Sequence, residues 1–183
     1  MKFSLLKKLF LLSALIIINA CVEEDPTAPT EENLMINTSF EKNGNPSSDG
    51  WQLPTGSDFS SDVPPNGGDY SLELNATNPP EVFATIKVPV KTQYTINKLS
   101  FWAKSTGVTS NIFGKAVLSH VRNGVEIKTR SILLDQITWQ TFSIQDTFNV
   151  AAGDSFLVKL SAGMTQLLAG KTYFDLCQLQ GIK

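Results

Sequence analysis

Cysteine and histidine are scarce in this 183-residue sequence, which contains two cysteines and one histidine. A nucleophilic cysteine or a Ser-His-Asp arrangement needs a histidine as its base, so His120 would have to serve any such site. The sequence also has no His/Cys cluster with metal-ligand spacing and no nucleotide-binding fingerprint. Its Gly67-Gly68 pair is too short to cradle a phosphate. These absences argue against catalysis.

An excess of charge of one sign is absent as well. The chain has 15 Lys and Arg against 17 Asp and Glu, which gives a formal net charge of -2, and it has no basic stripe. Nucleic acids and anionic lipids attract clusters of positive charge, so neither is expected as a partner. The length allows one domain with a sizeable core once the N-terminal segment is set aside.

The N-terminus has no hydrophobic run long enough to span a bilayer comfortably, but it has the parts of an export signal. Residues 9–18 are an apolar segment that follows three lysines, Lys2, Lys7 and Lys8. Ala20 is the small residue that a signal peptidase needs, and Cys21 comes directly after it. Residues 1–20 therefore resemble a bacterial lipoprotein signal peptide, which implies that Cys21 is lipidated and anchors the protein in a membrane. A plain secretory signal and a short anchor helix are the alternatives.

Lipidation of Cys21 would leave Cys177 without a partner for an internal disulfide. We expect Cys177 to be a small buried hydrophobic residue.

Residues 21–32 follow as an acidic segment. After Cys21 they include five carboxylates, two prolines and almost nothing to bury, so they cannot offset their chain entropy by packing. We expect a disordered tether. An acidic run directly after the cysteine also resembles the export signal of Bacteroidota lipoproteins. This resemblance implies an outer-membrane lipoprotein that faces the cell exterior.

Residues 33–183 show no sustained helical period. Short runs rich in β-branched and aromatic residues alternate with clusters of Gly, Pro, Asn and Asp, which is typical of an all-β sandwich or barrel. Asn43 to Gly68 is expected to be mostly loop. The predicted strands are Leu34–Phe40, Tyr70–Asn75, Val82–Val88, Tyr94–Lys104, Ile112–Arg122, Val125–Leu133, Thr138–Phe148, Phe156–Ser161 and Thr172–Leu179.

Asn123-Gly124 predicts a tight hairpin, because both residues tolerate the positive φ of a type I′ turn. A two-residue loop would pair Arg122 with Val125 and His120 with Ile127. Alternation then puts His120 on the core side, where a structural role is favoured over a ligand contact. The opposite face, towards water, would carry the charged residues of both strands, Lys115, Glu126, Lys128 and Arg130.

Two large aromatic residues fall on polar strand faces. Phe83 shares its face with Thr85 and Lys87, and Trp102 alternates with the apolar residues of the next strand. If these strands are neighbours in one sheet, Phe83, Trp102 and Phe113 line a single concave surface. The alternative is that a loop or a neighbouring strand covers each ring.

Several short motifs follow one another at set intervals along the chain. They are Asn33-Leu34, Asn37, Phe40-Glu41, Gly50-Trp51, residues 67–72, Tyr94, residues 101–104, Trp139 with Phe142, and residues 173–176. In this order they resemble the carbohydrate-binding modules attached to bacterial cellulases and xylanases. The resemblance implies a galactose-binding-domain-like fold, a jelly-roll β-sandwich of two antiparallel sheets, over nearly all of residues 33–181.

Members of that family commonly hold a structural calcium ion, and the resemblance implies the same site here. Glu41 and Asp175 match the two carboxylates, while Ser39, Gly68 and Asp69 match positions that supply neutral oxygens. Calcium takes six to eight oxygen ligands and accepts a mixture of carboxylates and carbonyls. The alternative is that Glu41 and Asp175 are solvated loop carboxylates.

The resemblance also implies a glycan ligand that stacks on aromatic rings. Ring stacking suits sugars because their C–H faces are apolar while their hydroxyls need hydrogen bonds at the rim. The predicted platform is Phe83 and Trp102 with Phe113, and Lys128 or Arg130 would bind hydroxyls. Trp51 and Trp139 are expected to pack at the edge of the core.

We therefore expect a non-catalytic lipoprotein that binds polysaccharide or oligosaccharide near the cell surface for partner enzymes or importers. An adhesion or assembly domain that docks another protein is the first alternative, since fold does not determine function. A small jelly-roll glycoside hydrolase is the weaker one. It needs two carboxylates across a cleft, and calcium explains Glu41 and Asp175 better.

Overall fold

The computed structural model describes residues 31–76, 81–106, 114–162 and 170–183. The expected signal peptide, Cys21, most of the tether and Phe113 lie outside the described residues. In the described ranges no helix is long and apolar enough to cross a membrane. The described residues form twelve strands: β1 (Glu31–Asn33), β2 (Glu41–Lys42), β3 (Asn45–Pro46), β4 (Ser57–Ser60), β5 (Ser71–Ala76), β6 (Val82–Pro89), β7 (Ile96–Thr106), β8 (Gly114–Arg122), β9 (Val125–Leu134), β10 (Gln140–Asp146), β11 (Ser155–Ala162) and β12 (Gly170–Ile182).

Two antiparallel sheets account for most of these strands. The larger sheet has six strands in the order β10-β7-β12-β5-β4, with β1 paired to β12. The smaller sheet has four strands in the order β6-β11-β8-β9, and β2 and β3 form a separate short hairpin. The prediction of an all-β protein with a two-sheet antiparallel sandwich is confirmed.

Alternation of apolar and polar residues builds the core between the sheets. In β7 every second side chain is buried, including Leu99, Phe101 and Ala103, because successive side chains in a strand point to opposite faces. The smaller sheet contributes the matching apolar layer, which includes Leu118, Val158 and Leu160. The outer faces of both sheets are therefore left for the polar residues and for the aromatic residues that interrupt them.

The predicted first strand, Leu34–Phe40, is wrong. This segment packs beside the sheet instead of pairing along it: Leu34 donates its N–H to the Leu179 carbonyl, and Cys177 donates to the Thr38 carbonyl. Phe40 has a φ of 57°, far from the negative values of a regular β-strand. Met35 and Phe40 are still buried, because they reach the core from an irregular backbone, whereas Ile36 is 82% exposed.

The loop predicted between residues 43 and 68 contains one strand of the larger sheet. β4 pairs with β5 at the sheet edge, with Phe59 opposite Leu72. A four-residue strand with a single large apolar side chain shows too little alternation to be recognised from sequence.

The hairpin turn is confirmed, but its predicted register holds only for the two pairs next to the turn, the second of which is Val121 with Glu126. Asn123 and Gly124 have φ values of 51° and 79°, and Arg122 pairs with Val125. A β-bulge then shifts the register, so His120 lies opposite Lys128 rather than Ile127. The core-side position predicted for His120 is confirmed: it is 2% exposed, with its Nε2 2.7 Å from Asp154 Oδ2.

Candidate functional site

Phe83 and Trp102 do not share a surface, so the prediction of a single platform is wrong. Phe83 lies on β6 of the smaller sheet, whereas Trp102 lies on β7 of the larger sheet. Each points away from the core, which places the two rings on opposite outer faces of the sandwich. The chain crosses between sheets after β6, and strands that follow each other in sequence need not be neighbours in space.

Lys128 and Arg130 are also displaced from their predicted face. The bulge in the β8–β9 hairpin turns both side chains towards the larger sheet, where Arg130 Nε donates to Asp146 and Lys128 Nζ lies 6.0 Å from the centre of the Phe148 ring. Arg130 therefore links the edge strands β9 and β10, and Lys128 lies over a ring that follows β10 in the chain. Neither is grouped with Phe83 or with Trp102.

Phe83 is partly buried among paired polar side chains. Its register partner Ser161 donates its hydroxyl to Glu81 at 2.5 Å, and Lys115 Nζ lies 3.6 Å from the same carboxylate. Among the described residues, Phe83 is the one aromatic side chain on the outer face of the smaller sheet. A lone ring beside a satisfied ion pair offers little more than one stacking contact.

Trp102 lines an open pocket of about 190 Å³ on the outer face of the larger sheet. The polar side chains that line it are Ser100, Thr141 and Gln178, from the three adjacent strands β7, β10 and β12. Thr141 lies opposite Trp102, and Gln178 lies opposite Ser100. The pocket therefore combines one partly exposed ring with three hydrogen-bonding side chains, which belong to two neighbouring cross-strand pairs.

A second aromatic group occupies the same face. Trp139 and Tyr173 have ring centres 6.3 Å apart, and Lys104 Nζ lies 5.3 Å from the first centre and 5.0 Å from the second. Trp139 donates its indole N–H to Asp62 at 3.0 Å, and Asp62 also pairs with Lys104. The ammonium group already fills the space between these rings. Trp139 was expected to pack at the edge of the core, but it lies on the outer face of the larger sheet beside Tyr173 and Lys104.

Glu41 and Asp175 come together beneath the loop at residues 64–68. Asp175 is 0% exposed, its Oδ1 accepts the Leu176 N–H at 2.7 Å, and its Oδ2 has no hydrogen-bond partner. Glu41 accepts the N–H of Tyr70. Burial, together with the charge of Glu41 and against the lowering effect of the Leu176 N–H, raises the pKa of Asp175 to about 7.

Two glycines let the loop approach these carboxylates. A Cβ atom at Gly67 would lie 2.6 Å from Asp175 Oδ2, and one at Gly68 would collide with the Glu41 carboxylate. Neither φ is positive, so the requirement is for space rather than for a left-handed backbone. Of the predicted calcium ligands, Gly68, Glu41 and Asp175 are brought together. Ser39 and Asp69 adjoin them in the chain.

The residues present fit a calcium ion. Two carboxylates converge with no lysine, arginine or histidine paired to either of them in the described ranges, and one of their oxygens is buried without a partner. A hard cation with oxygen ligands would remove this imbalance. No third Asp, Glu, His or Cys joins the group among the described residues, so the other ligands would be neutral oxygens.

No protein-family model matches the sequence, and no curated protein matches it.

Solved structures match the fold over most of the chain. The family 16 carbohydrate-binding module-2 has a TM-score of 0.57 at 18% identity and covers 80% of this chain and 99% of its own. The CBM22-1 xylan-binding domain from Paenibacillus barcinonensis has a TM-score of 0.56 at 16% identity, covering 85% and 98%. A CBM61 domain in complex with β-1,4-galactotriose has a TM-score of 0.53 at 14% identity, covering 81% and 97%.

Two enzymes are also similar, but only in part of their length. The enzymatically active domain of bacteriophage CBA120 tailspike protein 4 has a TM-score of 0.64 at 17% identity, and this chain spans 21% of it. An arabinose-bound α-L-arabinofuranosidase has a TM-score of 0.56, and this chain spans 28% of it. At these identities the likeness concerns the fold, and this chain has the two-sheet β-sandwich of the carbohydrate-binding modules named above.

Proposed function

We propose that the protein is a non-catalytic carbohydrate-binding domain that holds its ligand on the outer face of the larger sheet. The observation that carries this proposal is the pocket at Trp102, where one ring and three hydrogen-bonding side chains face solvent together. A pyranose ring has an apolar C–H face and a polar rim, and this arrangement matches both.

The size of the pocket favours one sugar ring at a time. Its volume of about 190 Å³ is below the roughly 300 Å³ at which sites for drug-sized ligands begin. Because the pocket is open on the sheet face, an oligosaccharide can continue along the neighbouring strands while one unit stacks on Trp102. The similarity to a xylan-binding domain and to a galactotriose-bound module supports a plant-type polysaccharide as the ligand class.

Hydrolysis is disfavoured by the burial of Asp175. A glycosidase carboxylate must reach the glycosidic oxygen or the anomeric carbon. Asp175 is 0% exposed, and the Gly67-Gly68 loop lies against it and Glu41. We assign this pair to calcium binding instead, with backbone carbonyls near Ser39, Gly68 and Asp69 as the neutral ligands.

The N-terminal segment would then serve as the membrane anchor. Residues 1–20 and Cys21 have the pattern of a lipoprotein signal, and the acidic tether would hold the domain off the outer membrane, towards the exterior. A bound polysaccharide would be kept near partner enzymes or importers. Replacement of the lipid acceptor in Cys21→Ser should move the protein from the membrane fraction to the soluble fraction, and an unchanged distribution would contradict lipidation.

An adhesion or assembly domain is the second candidate. Four apolar side chains near the β9 edge are exposed, and they offer contact area for another protein: Val125 at 62%, Ile127 at 45%, Leu133 at 42% and Ile137 at 74%.

Calorimetric titration against a panel of xylan, β-1,4-galactan and host glycans separates the two candidates. Trp102→Ala should weaken binding about tenfold or more, since loss of a stacking contact of about 1.4 kcal/mol has that effect. Phe83→Ala is the matched control on the opposite face and should bind normally. Absence of binding to every glycan rejects the proposal, and loss only in Phe83→Ala moves the site to the smaller sheet.

A further inference from the structure

Asp175, one of the two carboxylates, and Trp102 are neighbours in the larger sheet. Asp175 on β12 is the register partner of Trp102 on β7. Side chains of paired residues point to the same face, so the buried carboxylate and the indole ring lie side by side. Thr141 flanks Trp102 on its other side.

A β-bulge joins the two features. The register between β12 and β7 shifts between Asp175 and Gln178, and Leu176 within the bulge has a φ of 49°. A left-handed backbone costs a leucine about 1 kcal/mol, so other contacts must hold it there. One such contact is the hydrogen bond of 2.7 Å from the Leu176 N–H to Asp175 Oδ1, and another is that of 2.6 Å from the Cys177 N–H to the Thr38 carbonyl.

The same bulge supplies one wall of the pocket. Leu176 and Gln178 both line the space beside Trp102. The position of the Asp175 carboxylate therefore affects the backbone that carries the pocket wall. Asp175 Oδ2 has no partner and Glu41 adds a second negative charge, so the group that holds the bulge is itself not neutralised by any described side chain.

We infer that calcium bound at Glu41 and Asp175 sets the shape of the Trp102 pocket through the Asp175–Gln178 bulge. A cation that fixes the Asp175 carboxylate favours the bulge conformation in which Leu176 and Gln178 face Trp102. This inference rests on the proposed function only for the identity of the ligand in the pocket. Linkage makes this effect reciprocal. If calcium raises the affinity for a ligand that prefers this pocket shape, that ligand must raise the affinity for calcium by the same factor.

Nuclear magnetic resonance of the ¹⁵N-labelled protein tests the inference without any glycan. The chain has three tryptophans, so its spectrum has three indole N–H signals, and Trp102→Phe identifies the one of interest. Addition of calcium to chelator-treated protein should shift the Trp102 indole signal and the backbone signals of Leu176 and Gln178, all with one midpoint. The signals of the Asn123-Gly124 turn, in the other sheet, are the internal control and should not move.

Two substitutions serve as controls for the metal. Asp175→Asn and Glu41→Gln should each abolish the calcium-dependent shift of Trp102 while the protein stays folded, and Glu41→Gln covers the case in which the buried Asp175→Asn variant does not fold. Calcium binding that raises the melting temperature but leaves the Trp102 signal in place overturns the inference and leaves the proposed function standing. Absence of any calcium response overturns the inference together with the metal site.

Reciprocal titration completes the test. If galactotriose or a xylo-oligosaccharide binds, its saturation should raise the calcium affinity by about fivefold or more, the range of ordinary coupling between sites. Equal calcium affinities with and without that sugar overturn the inference. If no sugar binds while the Trp102 signal responds to calcium, the proposed function fails and the linkage within the protein stands.

Discussion

Asp154 and Asp175 are both buried aspartates, but their surroundings differ. Asp154 accepts hydrogen bonds from Arg122 Nε and Nη2 at 3.0 and 2.8 Å and from the Ala151 N–H at 3.0 Å, and it lies 2.7 Å from His120 Nε2. Asp175 accepts one bond, from Leu176. The surroundings of Asp154 stabilise a charged carboxylate, whereas those of Asp175 disfavour one. Of the two, only Asp175 therefore needs a cation to balance its charge.

The Asp154 cluster predicts sensitivity to acid. Hydrogen bonds from Arg122 lower the pKa of Asp154, with His120, Ala151 and the charge of Arg122 acting in the same direction against the effect of burial. Since the folded-state pKa lies below the unfolded value of about 3.9, this stabilisation is fully present above that value. It is lost as the pH falls below it.

Urea denaturation at several pH values measures this effect. Unfolding free energy should fall between about pH 4 and pH 2 in the wild type, and Asp154→Asn should flatten that slope while lowering stability at pH 7 by about 1–3 kcal/mol. Asp58→Asn, on the exposed face of β4, is the control and should leave the slope unchanged. If the pH dependence of the unfolding free energy is the same in Asp154→Asn as in the wild type, other carboxylates cause the acid sensitivity and this prediction fails.

At the scale of elements, strand positions were predictable wherever the alternation was long. β7 and the β8–β9 turn have clear signals in the sequence, namely eleven alternating residues and an Asn-Gly pair. The bulge after the turn has no such signal, because the Asn-Gly pair sets the register only for the residues next to the turn. A register error of one residue changes the face of every side chain that follows, which is why Lys128 and Arg130 were misplaced.

The hairpin turn allows a clean test of backbone strain. Gly124 has a φ of 79°, and a Cβ atom placed there would meet nothing within 4 Å. Gly124→Ala should therefore lower the unfolding free energy by about 1 kcal/mol through φ alone. Gly124→Asn should cost less, because asparagine tolerates the left-handed region. Equal losses in both, measured by urea denaturation, would contradict this explanation.

At the scale of the whole molecule, the division of strands between the two sheets determines which outward-facing rings share a surface. Phe83 and Trp102 were recognised as outward-facing rings from their strand patterns, and that part is confirmed. Their placement on opposite faces depends on long-range pairing, which a local pattern does not encode. The convergence of Glu41, Gly68 and Asp175 was expected from the resemblance to a family, since the three are far apart in the sequence.

The carboxylate pair also connects distant parts of the chain, so calcium should stabilise the whole domain. It would join the segment at Glu41, the loop at Gly68 and the last strand at Asp175. At a calcium concentration 100 times the Kd, the gain is about 2.7 kcal/mol, which corresponds to a melting temperature higher by roughly 5–10 °C.

Chelation measured by scanning calorimetry checks this prediction. Excess EGTA should lower the melting temperature of the wild type and should have little effect on Glu41→Gln. Gly68→Ala is a second probe, because its methyl group would displace the flexible end of Glu41 rather than the backbone. It should melt close to the wild type in chelator and gain less from calcium. If EGTA leaves the melting temperature of the wild type unchanged, the proposed metal site is contradicted.

The bulge that turns Lys128 and Arg130 inwards also bears on solubility at high concentration. β9 is a ten-residue strand at the edge of its sheet, and an edge of that length can recruit a strand from another copy and begin a fibril. Here the bulge interrupts the regular ladder of that edge, so the backbone groups of a second copy would be poorly matched to it. The β-bulge that made the predicted register wrong should therefore also protect the protein from edge-to-edge aggregation.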